Sequence, residues 1–160
     1  MLFYIHKKLK PFSAAHRLIK SYTGKCRNLH GHNYSVDVKI KARKLDRFDF
    51  VMDFDDVKDY FDQWVQTNWD HATLVSEMDR TLIDFLEKEQ QHHFIFPGSY
   101  NTTAERLAEY LFHQFTHILN DHQPSEKNLV LTKVCVYESE TASATYRGQK
   151  PSVDKESSCS

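Results

Sequence analysis

The sequence lacks a dominant charge. Its 160 residues carry 21 Lys plus Arg against 22 Asp plus Glu, a formal net charge of -1 with histidine neutral. That balance gives no global pull towards nucleic acid or an anionic membrane surface. Long apolar runs are also missing. No stretch approaches the roughly 20 residues of a membrane-spanning helix, and the opening MLFYIHKKLK has no apolar signal-peptide core. There are only three cysteines, an odd number, which argues against a disulfide framework. A reducing cytoplasm is the compartment these absences point to. Neither G-x-x-x-x-G-K-S/T nor G-x-G-x-x-G occurs, so the usual ways of cradling a nucleotide phosphate are not indicated.

What remains is an ordinary soluble composition, 40% hydrophobic and 27% charged. The length suits one α+β domain over residues 1–149. Residues 150–160 have no hydrophobic period and are expected to be disordered. Residues 2–9 read as a strand, followed by FSAAHRL and a polar loop. From His32 the chain alternates: Tyr34, Val36, Val38, Ile40 and Ala42 share one face of a half-buried strand. FDFVMDF reads as a short strand leading into a helix with Val57, Tyr60, Phe61, Trp64 and Val65 on one stripe. Asp53 or Asp55 can cap that helix. A shorter helical pattern holds Met78, Leu82, Phe85 and Leu86, and HFIF looks extended. The strongest helix carries Ala104, Leu107, Ala108, Leu111, Phe115, Ile118 and Leu119, with Thr102 and Glu105 in a capping-box pattern. NLVLTKVCVYE is a strand, and ATYRG can be its hairpin partner.

The chemistry concentrates in GKCRNLHGHNY. A strand points residues i and i+2 to one side, so His30 and His32 aim together, and Gly31 adds no bulk between them. If the strand ending at His16 pairs with them as a hairpin, His16 becomes a third imidazole, and three histidines with an open position are a catalytic zinc pattern. Otherwise His16 is a polar strand end and His-Gly-His a turn. Cys26 can be a fourth ligand of a closed structural site, or a reactive thiol, since Lys25 and Arg27 flank it and cations stabilise a thiolate. With Arg17 and Lys20 these make a locally basic loop, which is either solvated or suited to an anionic substrate. Asp70-His71 is either helix-end polarity or an acid-base pair for the thiol. Glu138, at the end of an apolar strand, is either exposed or able to grip an amidine-like edge with two hydrogen bonds. His113 and His117 fall opposite the apolar stripe and read as solvent-facing, and Cys135 reads as a small core residue. A structural zinc module and a zinc hydrolase stand as rival classes.

In order and spacing, FSAAHRL, CRNLHGHNY, VMDF, WDHATL, NTTAERLAEYLF and YESETASATYRG together resemble the 6-pyruvoyltetrahydropterin synthase / 6-carboxytetrahydropterin synthase family. The resemblance implies the tunnelling fold: a four-stranded antiparallel sheet with helices on one face, closing between subunits into a β-barrel. A homohexamer of two trimers with active sites at subunit interfaces goes with it. It implies zinc on His16, His30 and His32, Cys26 as catalytic thiol, Asp70 and His71 as its acid-base partners, and Glu138 on the pterin edge and in proton transfer. It also implies that Thr103 and Glu105 help line the pterin pocket, with Lys25 and Arg27 near the triphosphate of 7,8-dihydroneopterin triphosphate. Three residues separate Cys26 from His30, where pyruvoyl-type members usually have five. That spacing favours the carboxy type of queuosine biosynthesis. Two features depart from the family pattern: a longer segment from Ser76 to Ser99, and Thr102 where bacterial forms often have proline.

Overall fold

The computed structural model describes residues 1–122 and 128–148; the expected disordered tail and Cys159 lie outside the described residues. The central strand is β3 (His30–Ala42). Both β1 (Phe3–Lys8) and β2 (Phe12–His16) run antiparallel to it, one after the other along its length, with Phe3 opposite Ala42 and His16 opposite His30. The hairpin that brings His16 to His30 is therefore present. On the other edge of β3 lies β6 (Val130–Tyr137), and on β6 lies β7 (Ser143–Arg147), both antiparallel.

The sheet is larger than the expected four antiparallel strands. β4 (Ala72–Ser76) pairs parallel to β2, and β5 (His93–Phe96) pairs parallel to β4, giving seven strands in the order β5-β4-β2-β3-β6-β7 with β1 on β3. ATLVS is buried at four of five positions and so has no alternation to read, as expected of a parallel strand covered on both faces. Its neighbour β5 belongs to the long 76–99 segment. Phe94 and Phe96 from it pack against Trp69 and Tyr110, which ties the added strand to the core.

The alternation of β3 holds: Tyr34, Val36, Val38, Ile40 and Ala42 are all buried. Against that face lies α4 (Ala104–His122), which buries Leu107, Ala108, Leu111, Phe115 and Leu119 while His113 and His117 stay exposed. Phe61 stacks on Phe115 at 4.3 Å, joining α4 to a continuous helical stretch made of α1 (Phe54–Val57), a π-helical turn (Lys58–Asp62) and α2 (Gln63–Asn68). The Asp53 carboxylate accepts the Asp55 N–H and caps it.

Three local expectations need correction. FDFVMDF is not a strand: the Asp46 carboxylate accepts the N–H groups of Phe48 and Phe50 at 2.9 Å each, an Asx-type turn that leaves both rings exposed. In α3 (Arg80–Lys88) the buried stripe is Leu82, Ile83 and Leu86, while Phe85 faces solvent and Met78 precedes the helix. The capping box before α4 is not formed, because the Thr102 hydroxyl lies 3.5 Å from both the His16 ring and the Arg17 carbonyl.

One ion pair bolts the 17–29 loop to α3. The Arg17 guanidinium donates to both oxygens of buried Asp79, at 2.6 and 2.7 Å, and the same carboxylate caps the helix by accepting the Leu82 N–H. The carboxyl of Asp79 is pulled below its ordinary value: burial pushes it up, but the Arg17 and Leu82 hydrogen bonds outweigh burial. Asp79→Ala removes a cap and leaves Arg17 unmatched. The expected loss is about 2–4 kcal/mol, read from urea unfolding midpoints, with little change in m.

Candidate active site

β2 ends and β3 begins at one place, and three imidazoles meet there. His16, His30 and His32 have ring centroids 4.6, 5.2 and 5.0 Å apart, and each offers a ligand atom within 4.8 Å of the other two. The rings are oriented from behind. His16 Nδ1–H donates to the Thr102 carbonyl at 2.7 Å, and His30 Nδ1–H donates to the Asn28 carbonyl at 2.8 Å. A carbonyl can only accept, so both protons sit on Nδ1 and both Nε2 lone pairs are free. Those two Nε2 atoms are buried, with no partner among the described residues. A metal ion would satisfy them, and fixing the tautomer through the far nitrogen is how metal-ligating histidines are held. The donor set fits zinc. Among the described residues this is the one histidine/cysteine/carboxylate group with metal-holding geometry.

Burial lowers the pKa of His16 from 6.5 to about 4; the Thr102 carbonyl opposes this, and the neighbouring His30 and His32 add to it. His16 is thus neutral and ligand-competent at pH 7. Because the folded value lies below the unfolded one, its contribution to stability is complete above pH 6.5 and is lost as pH falls towards 4. The span corresponds to roughly 3 kcal/mol. Unfolding midpoints of the zinc-free protein should drop across that window, and zinc affinity should weaken over the same range because protons compete for the ligand.

Cys26 is a free, partly buried thiol on a single 3-10 turn (Lys25–Arg27). The turn is pinned to the end of β2 by the Leu18 N–H donating to the Cys26 carbonyl at 2.8 Å. Tyr22 folds over Gly24 so closely that a Cβ there would sit 2.3 Å from the phenol oxygen. Its hydroxyl faces Cys26, and the hydrogen bond with the thiol holds the phenol above its ordinary pKa. Lys25 and Arg27 are exposed on either side. The other two cations of the basic loop are committed elsewhere, Arg17 to Asp79 and Lys20 Nζ to the Ser99 carbonyl at 2.8 Å.

Asp70 and His71 follow α2, and they do touch: His71 Nδ1 lies 3.0 Å from Asp70 Oδ2. The Ser13 N–H donates to Asp70 Oδ1 at 3.0 Å, and the His71 N–H donates to the Ser13 carbonyl at 2.7 Å. Burial favours a raised Asp70 pKa; hydrogen bonds from Ser13 and His71 overcome it and hold the carboxyl below its ordinary value. His71 has φ 57°, a left-handed conformation uncommon for a side-chain-bearing residue, and its ring is 82% exposed. With His32 it borders a shallow cleft of about 400 Å³. Among the described residues no hydrogen bond or ion pair joins Cys26 to Asp70 or His71.

Glu138 stands half-buried just past β6, its N–H donating to the Ala142 carbonyl in the turn to β7. The Thr103 carbonyl accepts the Leu107 N–H at the start of α4, while Glu105 is exposed on the first turn. Sequence reasoning did not single out Asn101 or Tyr34. The Asn101 side chain clamps the 17–29 loop, accepting the Ile19 and Lys20 N–H groups and donating to the Lys20 carbonyl. Tyr34 is fully buried beside the triad, and burial, with electrostatic interaction with Glu138 and Cys26 adding to it, pushes its phenol far above the ordinary range. Its place in HGHNY, two residues beyond His32, was the available signal.

Residues 4–149 match the sequence profile described as 6-pyruvoyl tetrahydropterin synthase. The chain belongs to this enzyme family. It is 31% identical over 130 residues to the 6-carboxy-5,6,7,8-tetrahydropterin synthase of Rickettsia conorii, covering 79% of this chain and 88% of that one. The Haemophilus influenzae protein of the same name is 28% identical, covering 91% and 99%. The solved 6-pyruvoyl tetrahydropterin synthase of Caenorhabditis elegans superposes with a TM-score of 0.65 at 26% identity, covering 93% of this chain and 97% of that one. The mixed α+β fold of this family is thus shared.

Proposed function

We propose that the protein is a zinc-dependent 6-carboxy-5,6,7,8-tetrahydropterin synthase. It converts 7,8-dihydroneopterin triphosphate, with release of acetaldehyde and triphosphate, on the route to queuosine in the cytoplasm. The observation that carries this reading is the Cys26 thiol, separated by three residues from the convergent His30 and His32, whose third partner His16 has a free, buried Nε2. Relatives near 30% identity bearing the carboxy-type name support the product.

His16, His30 and His32 would hold the zinc, which when bound supplies a Lewis acid for the hydroxyls of the substrate side chain. Cys26 Sγ takes a proton from the side-chain carbon. His71, oriented by Asp70, returns or relays protons at its exposed ring nitrogen. The Glu138 carboxylate takes the 2-amino and N3 edge of the pterin with two hydrogen bonds, which sets the reacting carbon against the thiol. Thr103 lies in the segment lining the ring pocket, and exposed Lys25 and Arg27 face the triphosphate. Exposed Glu105 has the weakest part in this reading. Triphosphate leaves, a water adds to the resulting side-chain carbonyl next to the ring, and retro-aldol-type C–C cleavage then leaves that carbon as the ring carboxylate and the other two carbons as acetaldehyde.

A homohexamer, a dimer of trimers, completes the reading, because Cys26 is not joined to an Asp70–His71 pair within one chain. A second copy would bring its own pair to the thiol. No helix among the described residues is long and apolar enough to cross a membrane. The test is mass spectrometry of products from zinc-loaded protein and 7,8-dihydroneopterin triphosphate. 6-Carboxytetrahydropterin with acetaldehyde is the expected result. 6-Pyruvoyltetrahydropterin would keep the site and overturn the product; unchanged substrate would overturn both.

A further inference from the structure

Among the described residues the hydroxyl of Tyr34 has no hydrogen-bond partner, although the residue is completely buried. Buried phenols usually find one, and an orphaned donor costs stability. The ring cannot swing to look for a partner. Phe12 stacks on it at 5.3 Å and 17°, and the rings of His16 and His32 meet it edge-on at 6.1 and 5.4 Å. Its position relative to β6 is also fixed. Ser35 pairs with Tyr137, so Tyr34 and Glu138 are the next positions on the two adjoining chains. Alternation puts both on the sheet face that carries His30 and His32. The Glu138 carboxylate makes no hydrogen bond or ion pair among the described residues. An unpaired donor and an unpaired acceptor thus stand side by side next to the histidine triad.

We propose that Tyr34 is a positioning residue whose hydroxyl is the donor for the Glu138 carboxylate when that carboxylate turns in to hold a pterin edge. This rests on the reading of Glu138 given above. A carboxylate that grips an amidine-like edge uses one lone pair on each oxygen and keeps others free. A phenol beside it fills one of these and fixes the carboxylate plane. Without a ligand the hydroxyl stays orphaned, and the protein gives up stability to keep the donor in place.

The test is binding of neopterin, followed by its fluorescence, to zinc-loaded wild type, Tyr34→Phe, Glu138→Ala and the double variant. Tyr34→Phe should weaken binding about 10-fold, the scale of a hydrogen bond to a charged group. In the Glu138→Ala background the same substitution should change binding by less than about twofold. The Tm of ligand-free Tyr34→Phe should be equal to wild type or higher. Wild-type affinity in Tyr34→Phe would overturn the proposal. So would an equal loss in both backgrounds, which means the hydroxyl touches the ligand itself, or a fall in Tm, which means it had a structural partner. Failure of wild type to bind neopterin would overturn the pterin reading, and this inference with it, before any variant is compared.

Discussion

Cys26→Ala is expected to lower turnover by roughly 10²–10⁴-fold, the range for a positioned proton-transfer group, while bound zinc stays at one per chain. The two halves of this result come from different parts of the structure. Zinc retention follows because three imidazoles converge without sulfur, and two of them have free buried Nε2 atoms. The turn carrying Cys26 should also survive, since it is anchored through the backbone by Leu18, and alanine keeps that bond. Loss of turnover then isolates the thiol. Zinc is counted by elemental analysis and turnover by triphosphate release. Retained activity would remove Cys26 from the chemistry and favour a metal-hydroxide hydrolase; lost zinc would make Cys26 a ligand of a closed site.

His16→Ala should have a second large effect, and the opposite pattern. Zinc is expected to be lost, with affinity falling by more than the roughly 10–100-fold typical of losing an outer-shell partner. Turnover should disappear with it. Stability should fall too, because the Thr102 carbonyl loses its donor, at about 1–3 kcal/mol, and the contribution from metal linkage vanishes. Competition titration with a zinc chelator measures the affinity and thermal unfolding the stability. His117→Ala is the matched control. That ring is exposed on α4, 3.5 Å from Asp121, and its removal should stay within about 0.5 kcal/mol and leave zinc bound.

The triad was legible in the sequence because it depends on the shortest-range rule available. A period of two places His30 and His32 together, and a hairpin adds His16. The same rule made β3 readable, and the 3.6 period made α4 readable. The rest failed where a residue's partner is distant. ATLVS is a short apolar run whose parallel pairing is to a strand far away in sequence; HFIF was legible as extended, though not its parallel pairing with β4. Thr102 has the right spacing for a capping box, but its hydroxyl is drawn to His16 and Arg17, which are 86 and 85 residues away. FDFVMDF has strand composition, and Asp46 turns it by capturing two N–H groups. Asp70-His71 is the converse: adjacency left contact undecided, and the left-handed backbone at His71 accompanies the contact. The basic loop looked like four free cations, yet Asp79 and Ser99 engage two of them.

An open three-histidine metal site with a separate thiol differs from a closed site in its first coordination shell. X-ray absorption at the zinc edge of the loaded protein tests it most directly. The expected first shell is three imidazole nitrogens plus one light-atom ligand near 2.0–2.1 Å, with no sulfur, and the spectrum should be unchanged by Cys26→Ala. A sulfur near 2.3 Å that vanishes in Cys26→Ala would contradict it, closing the site and making the protein a structural zinc module.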